Sequence, residues 1–135
     1  MKLFIISIPL LLMCITTNNL EYQQVDEKLF GVWIMTEQIE NELTFKRSKL
    51  FDKNRGGLKF LRNGHLVFRQ NVSWCATPPI EYKNYKGSWN ISNGTKLSMG
   101  CAYWGGDSQQ VWEIIILNES ELRIKLKSFE GDQNF

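Results

Sequence analysis

Residues 109–129 read Q-Q-V-W-E-I-I-I-L-N-E-S-E-L-R-I-K-L-K-S-F and have the pattern of two β-strands. The stretch consists of two apolar runs separated by the turn-forming Asn-Glu-Ser. In the second run Leu122, Ile124 and Leu126 point to one face and basic residues point to the other, which is the period-2 pattern of a half-buried strand. In the first run both faces are apolar, which predicts a strand covered from outside as well as inside. The stretch therefore predicts an antiparallel hairpin packed on a core.

Similar segments occur upstream, separated by turn signals such as Asn-Gly at 63–64 and 93–94. Segment 41–56 is ambiguous: it predicts either an eighth strand around Leu43–Leu50 or a short helix over one end of the fold. One helical turn is expected at 25–30. The seven predicted strands are 31–40, 57–62, 65–71, 84–91, 95–103, 109–117 and 121–129.

These hairpins predict an all-β fold, an antiparallel up-and-down meander that closes into a small β-barrel of seven to eight strands. Closure is favoured because it removes the exposed edges of an open sheet. The chain has 135 residues, enough for one domain. Its net charge of +2, from 16 basic and 14 acidic residues, disfavours nucleic-acid binding.

The N-terminus predicts export. Residues 1–14 have one Lys followed by a short uncharged apolar run that ends at Cys14, as in a secretory signal peptide. A cysteine at this point resembles the lipobox of bacterial lipoproteins, which implies lipidation of Cys14, although Met13 replaces the small residue of that pattern. The alternative is an unlipidated signal peptide cut near Thr16. We expect a flexible tether at 15–25, a barrel domain at 26–130, and a location in the cell envelope, periplasm or outer membrane, or secretion without the lipid.

Two cysteines remain in the exported chain. Cys75 precedes two consecutive prolines, and Cys101 lies near the end of the predicted strand 95–103. In an oxidising compartment they can form a disulfide that ties the Pro-Pro loop to the sheet. A redox-active or metal-binding pair is the rival interpretation, but there is no C-x-x-C, and His65 alone cannot complete a zinc site.

Three motifs together resemble the lipocalin-like domains of the calycin group, and in particular a group of small secreted lipoproteins of Bacteroidota. They are Gly31-x-Trp33 after a helical turn, the run F-R-Q-N-V-S-W-C-A-T-P-P-I-E-Y-K-N-Y-K-G-S-W at 68–89, and C-A-Y-W-G-G at 101–106. The resemblance implies a barrel whose closed end is plugged by Trp33. It also implies a cation across the indole from the last strand, which we match to Arg123, with Lys125 and Lys127 as alternatives.

Candidate functional residues are few. Glu113 is interpreted as an interior carboxylate with a raised pKa, able to hold a ligand amine or to pair with an interior Arg69; an outward Glu113 is the alternative. Aromatic residues near the Pro-Pro loop and the Y-W-G-G turn would either form a rim that grips a ligand or partner or cover the barrel end. These rim residues are Trp74, Tyr82, Tyr85, Tyr103 and Trp104.

The expected function is binding of a small apolar molecule in or at the mouth of the barrel by a monomer that meets the membrane only through its lipid anchor. The alternative is an envelope protein-interaction or inhibitor module whose barrel is filled by its own side chains. Catalysis and a cofactor are not expected, because no paired carboxylates, nucleophile motif, phosphate loop or metal cluster is present in the sequence. The side chains expected to fill the interior are Phe60, Phe68, Trp89 and Met99.

Overall fold

The computed structural model describes residues 26–72, 80–103 and 106–131. The predicted leader at 1–14 and tether at 15–25 lie outside this range. A 3₁₀ turn, Glu27–Leu29, precedes eight antiparallel strands that form a closed barrel, so the predicted all-β antiparallel barrel is confirmed. The strands are β1 Gly31–Ile39, β2 Glu42–Ser48, β3 Gly57–Phe60, β4 His65–Asn71, β5 Tyr82–Ser92, β6 Lys96–Tyr103, β7 Gly106–Leu117 and β8 Glu121–Gly131.

The strand order departs from a sequential meander at one place. Around the barrel it is β1-β2-β8-β7-β6-β5-β4-β3, so β1 lies between β2 and β3. Strand β2 confirms the eighth strand predicted within 41–56, and the connection at 49–56 must cross β1 to reach β3. Val32 and Ile34 alternate with the interior Trp33 and are nevertheless buried. A methyl group on Gly57, which pairs with Ile34, would lie 3.1 Å from the Phe51 ring. The crossing connection therefore covers the outer face of β1.

Trp33 is buried at the end of the barrel where the 3₁₀ turn lies, which we call the closed end. Its side chain is fully buried, and its indole N–H donates a hydrogen bond to the Leu29 carbonyl at 2.8 Å. The guanidinium of Arg47 lies 4.2 Å from the centre of the indole ring. Gly31 has a φ of +112°, and a side chain there would approach Arg47 Nη1 to 3.0 Å. Glycine is thus required both by the backbone and by the cation beside it.

The assignment of Arg123 as the cation over Trp33 is wrong. Strand β8 is separated from β1 by β2, whereas Arg47 of β2 is the direct register partner of Trp33. Arg123 instead forms an ion pair with Glu121 at 3.0 Å. The cation over the indole comes from β2, the strand beside the tryptophan, because a cation–π contact requires the charge within about 6 Å of the ring.

Two β-bulges interrupt the pairing of β7 with β8; the extra residue is Lys127 of β8 at the first and Ile115 of β7 at the second. They fall between Val111 and Trp112 and between Ile114 and Ile116. Ile115, at the second bulge, is 46% exposed. The prediction that the second apolar face of this strand is covered is therefore wrong at Ile115, because a bulge places an extra residue outside the ladder.

Candidate functional site

The interior of the barrel is divided into a filled half and an open half. In the filled half, Trp89 packs edge-on against Phe60, with ring centres 5.5 Å apart at 89°. The Trp89 indole N–H donates to the carbonyls of Leu61 and His65, each at 3.0 Å. Large side chains with satisfied polar atoms leave little space at this end. The core residues of this half that are at most 1% exposed include Leu29, Trp33, Phe60, Leu66, Leu97 and Leu122.

The open half contains a cavity of about 280 Å³. It lies at the end of the barrel opposite Trp33, because its wall includes Glu40 and Asn41 of the β1–β2 turn. Most of its lining is apolar, and the polar side chains in it are Gln38, Glu40, Asn41 and Gln110. The lining residues are Met35, Gln38, Glu40, Asn41, Leu43, Phe45, Leu58, Phe68, Met99, Gln110, Trp112, Ile124 and Leu126.

Gln110 is an interior polar residue that sequence reasoning missed. It lines the cavity, and its side-chain oxygen accepts a hydrogen bond of 2.8 Å from the Trp112 indole N–H. Its position two residues before Trp112, on an alternating strand, was the signal that could have found it. Gln110 thus satisfies a tryptophan N–H that would otherwise lack a partner at the cavity wall.

A second cavity of about 180 Å³ adjoins the first. The two cavities share the apolar side chains of Met35, Leu43, Phe45 and Phe68. The second is lined in addition by Gly56, Gly57, Arg69, Gln70, Asn71 and Tyr82. It reaches Arg69 and Tyr82 at the side of the barrel, and we call it the side cavity.

The interior position predicted for Arg69 is wrong. Arg69 follows Phe68, which lines the interior cavity, so its side chain leaves the opposite face of β4. Its Nε donates to the Asp52 carbonyl at 2.9 Å, Nη1 to Asn84 Oδ1 at 2.9 Å and Nη2 to the Lys53 carbonyl at 3.0 Å. Arg69 therefore fixes the crossing connection to the outside of the barrel.

The interior interpretation of Glu113 is also wrong, and its outward alternative is confirmed. Glu113 forms an ion pair with Lys127 at 2.7 Å, and its side chain is 43% exposed. The hydrogen bond from Lys127, followed by the positive charges of Lys127 and Lys125, lowers the pKa of Glu113. A lowered pKa is the reverse of what burial would cause.

The predicted aromatic rim falls partly within the described residues. Tyr82, opposite Asn71, lines the side cavity, and the Arg69 guanidinium lies 5.9 Å from its ring. Tyr85 is half-buried opposite Phe68, on the inner face of the same strand. The backbone of Tyr103 pairs with Gly106, while Trp74 and Trp104 lie outside the described residues. A rim composed of all five residues stays a prediction.

The predicted disulfide also stays a prediction, because Cys75 lies outside the described residues. Cys101 is buried on β6, with its sulfur 3.2 Å from the Ser108 hydroxyl. Candidate metal ligands do not cluster in groups of three or more within 26–72, 80–103 and 106–131. Across that same part of the chain, none of the helical structure has the length and apolar character needed to cross a membrane.

Comparison with known proteins adds no assignment. No family model matches the chain, and no curated protein or solved structure matches it significantly.

Proposed function

We propose that this chain is an exported lipocalin-like protein that binds a small apolar molecule in the open half of its barrel. The observation that carries the proposal is the cavity of about 280 Å³ lined by side chains such as Met35, Phe68 and Met99. A concave, mostly apolar site with a few polar groups is the usual form of a small-molecule site. Burial of an apolar ligand there would be favoured by about 25 cal/mol for each Å² removed from water.

The size of the cavity limits the ligand. Sites for drug-sized molecules usually measure about 300–1,000 Å³, and the main cavity lies just below that range at about 280 Å³. A ligand longer than the main cavity would have to extend into the side cavity, which shares four side chains with it. The proposal therefore favours a slender molecule over a bulky ring system.

The alternative of a partner-binding module required a barrel filled by its own side chains. Phe60, Trp89 and Met99 are buried, but Phe68 and Met99 border empty space. The filled-barrel condition thus holds only for the closed half. We therefore favour ligand binding over an inhibitor or interaction module.

Export, lipidation and the disulfide belong to the same proposal and are supported by the sequence alone. Mass spectrometry of the membrane-extracted chain is expected to find a mature N-terminus at a diacylated Cys14. Recovery of an unmodified chain that begins after Cys14 would remove the anchor. Peptide mapping without reduction is expected to find Cys75 linked to Cys101, and free thiols at both positions would remove the disulfide.

Ligand binding can be tested with the neutral fluorescent probe N-phenyl-1-naphthylamine. The full chain is expected to bind it saturably with increased fluorescence, because the probe moves from water into an apolar site. Leu43→Trp would fill space shared by the two cavities and is expected to weaken binding about tenfold or more, a loss of about 1.4 kcal/mol. Leu50→Trp is the matched control, since Leu50 is 78% exposed.

The control separates loss of the cavity from loss of the fold. Circular dichroism and thermal unfolding of both variants establish that the barrel is retained. Absence of saturable binding by the unaltered chain would contradict the proposed function. Equal binding by the unaltered chain and a folded Leu43→Trp would show that the probe lies elsewhere.

A further inference from the structure

The barrel wall has a gap between β1 and β4, just before Gly57, the residue at which β3 begins. Strand β3 has four residues, and its first residue, Gly57, pairs with Ile34 on one side and Arg69 on the other. The Met35 N–H reaches one residue further, to the Gly56 carbonyl at 2.9 Å. Beyond this point β1 pairs only with β2, and β4 only with β5, among the residues that the structure describes.

The side cavity occupies this gap. Its lining combines interior side chains, such as Met35 and Phe68, with Arg69 and Tyr82, which leave the outer side of the sheet. An apolar path therefore leads from the barrel interior to a charged group on the outside. Among the described residues, no Lys or Arg lines the main cavity, whose charged lining residue is Glu40.

Among the described residues, no carboxylate holds Arg69 in position. Its three hydrogen bonds go to two backbone carbonyls and the Asn84 amide oxygen, all of them neutral. Within 26–72, 80–103 and 106–131 Arg69 takes part in no ion pair within 4.0 Å, and two of its N–H groups have no acceptor there. One N–H on each Nη thus remains to donate to a carboxylate, and because the guanidinium is already fixed, little of its freedom remains to be lost on binding.

We propose that the ligand is a single-chain amphiphile with a carboxylate head, which lies in the gap with its head on Arg69 and its tail in the barrel. This inference rests on the proposed function and specifies its ligand class. The tail contacts the four apolar side chains common to both cavities, and the head receives charge-assisted hydrogen bonds from Arg69. A ligand with a cationic head held by Glu40 is less favoured, since Glu40 is exposed at the tip of a turn.

The test compares decanoate with decanol, which share a ten-carbon chain and differ in the charge of the head. Each is used to displace N-phenyl-1-naphthylamine from the full chain at neutral pH, with decanoate kept below its critical micelle concentration and decanol below its solubility limit. Decanoate is expected to bind about tenfold more tightly than decanol, because charge-assisted hydrogen bonds are about twice as strong as neutral ones. Raised salt should narrow the difference, since Arg69 is near the surface.

Three variants assign the effect to Arg69. Arg69→Gln removes the charge, and Asn84→Asp neutralises it in place, because the new carboxylate would accept the same 2.9 Å bond from Nη1. Both variants are expected to bind decanoate about tenfold more weakly than the unaltered chain and decanol less than about twofold more weakly. Lys86→Gln is the matched control: Lys86 is exposed on β5 and lines neither cavity, so its loss should change neither affinity.

The outcomes distinguish the two proposals. Equal affinities of the unaltered chain for decanoate and decanol would overturn the carboxylate inference. Equal losses of affinity for the two ligands in Asn84→Asp would overturn it as well. In both cases the proposal of an apolar binding site would stand. Failure of the probe and of both ligands to bind would overturn the proposed function, and the inference with it. Asn84→Asp keeps the crossing connection bound to Arg69, so it decides the matter even where Arg69→Gln fails to fold.

Discussion

Replacing Arg47 with methionine is expected to destabilise the barrel far more than the same replacement of Arg123. The Arg47 guanidinium covers the Trp33 indole and donates hydrogen bonds to the carbonyls of Lys28, Phe30 and Glu119. These carbonyls belong to the 3₁₀ turn and the β7–β8 turn, so Arg47 joins three parts of the closed end. Arg123 makes one ion pair, and its Nε is buried without a hydrogen-bond partner among the described residues.

The magnitudes follow from these contacts. A cation–π contact contributes about 0.5–2 kcal/mol, and each hydrogen bond contributes about 0.5–1.5 kcal/mol. Because interactions within one network are not additive and methionine keeps some packing on the indole, we expect Arg47→Met to lower the free energy of unfolding by about 2–4 kcal/mol. Arg123→Met loses a partly exposed ion pair and an unsatisfied donor, so its effect should lie within about 1 kcal/mol of zero.

Equilibrium urea denaturation followed by far-ultraviolet circular dichroism measures both effects, with the slope of each transition as a check on two-state behaviour. The expected loss for Arg47→Met is a large part of a total stability of about 5–15 kcal/mol. Equal losses for the two variants, or a larger loss for Arg123→Met, would refute the assignment of the closed-end cation to β2.

Four further substitutions probe the wall of the barrel. Gly87→Ala would bring a Cβ to 2.3 Å from the Gly100 carbonyl oxygen, so it should lower the free energy of unfolding by about 2 kcal/mol or more in urea denaturation. Gly100→Ala meets only the flexible Gln109 side chain at 2.6 Å and should lower it by less. Equal losses for the two variants would contradict this geometry. Lys127→Gln should raise the pKa of Glu113 toward its ordinary value of 4.5 in an NMR titration. Because the pKa of Glu113 is lowered on folding, the ion pair stabilises the barrel above pH 4.5, and this contribution is lost as the pH falls through the folded pKa. An unchanged pKa of Glu113 in Lys127→Gln would contradict the pairing. Ile115→Ala should change the free energy of unfolding by less than about 1 kcal/mol, because the side chain is 46% exposed at a bulge; a cost of about 2–5 kcal/mol would place it in the core.

Local patterns predicted the strands and much of the core. In β8 the alternation of apolar and basic residues placed Leu122 and Ile124 inside, and both are 0% exposed. The Asn-Gly turn at 93–94 also has the positive φ angles, +54° and +75°, that such hairpins require. Alternation succeeds here because one face of the strand is buried and the other is solvated.

Alternation applied consistently would also have corrected two site predictions. Arg69 is adjacent to Phe68 and Glu113 is adjacent to Trp112, so neither could share the inward face of its neighbour. The structure places Phe68 and Trp112 at the main cavity and gives the charged residues partners outside it.

Other features depend on long-range pairing that the sequence does not display. The position of β1 between β2 and β3 gives Trp33 its partner Arg47, and no local signal reports that order. The start of β3 at Gly57 likewise opens the wall beside Arg69. Sequence periodicity identifies the faces of a strand, but it does not identify the neighbours of that strand.

The most direct test of the central claim uses the two methionines of the described residues. Met35 lines both cavities and Met99 lines the main one. The full chain, labelled with ¹³C at its methionine methyl groups, is titrated with decanoate, and the Met35 and Met99 signals are assigned with single methionine-to-leucine variants. A ligand in the open half of the barrel predicts saturable shifts of both signals with one common dissociation constant. Signals of both methyl groups that stay unchanged at saturating decanoate would contradict a binding site inside this barrel.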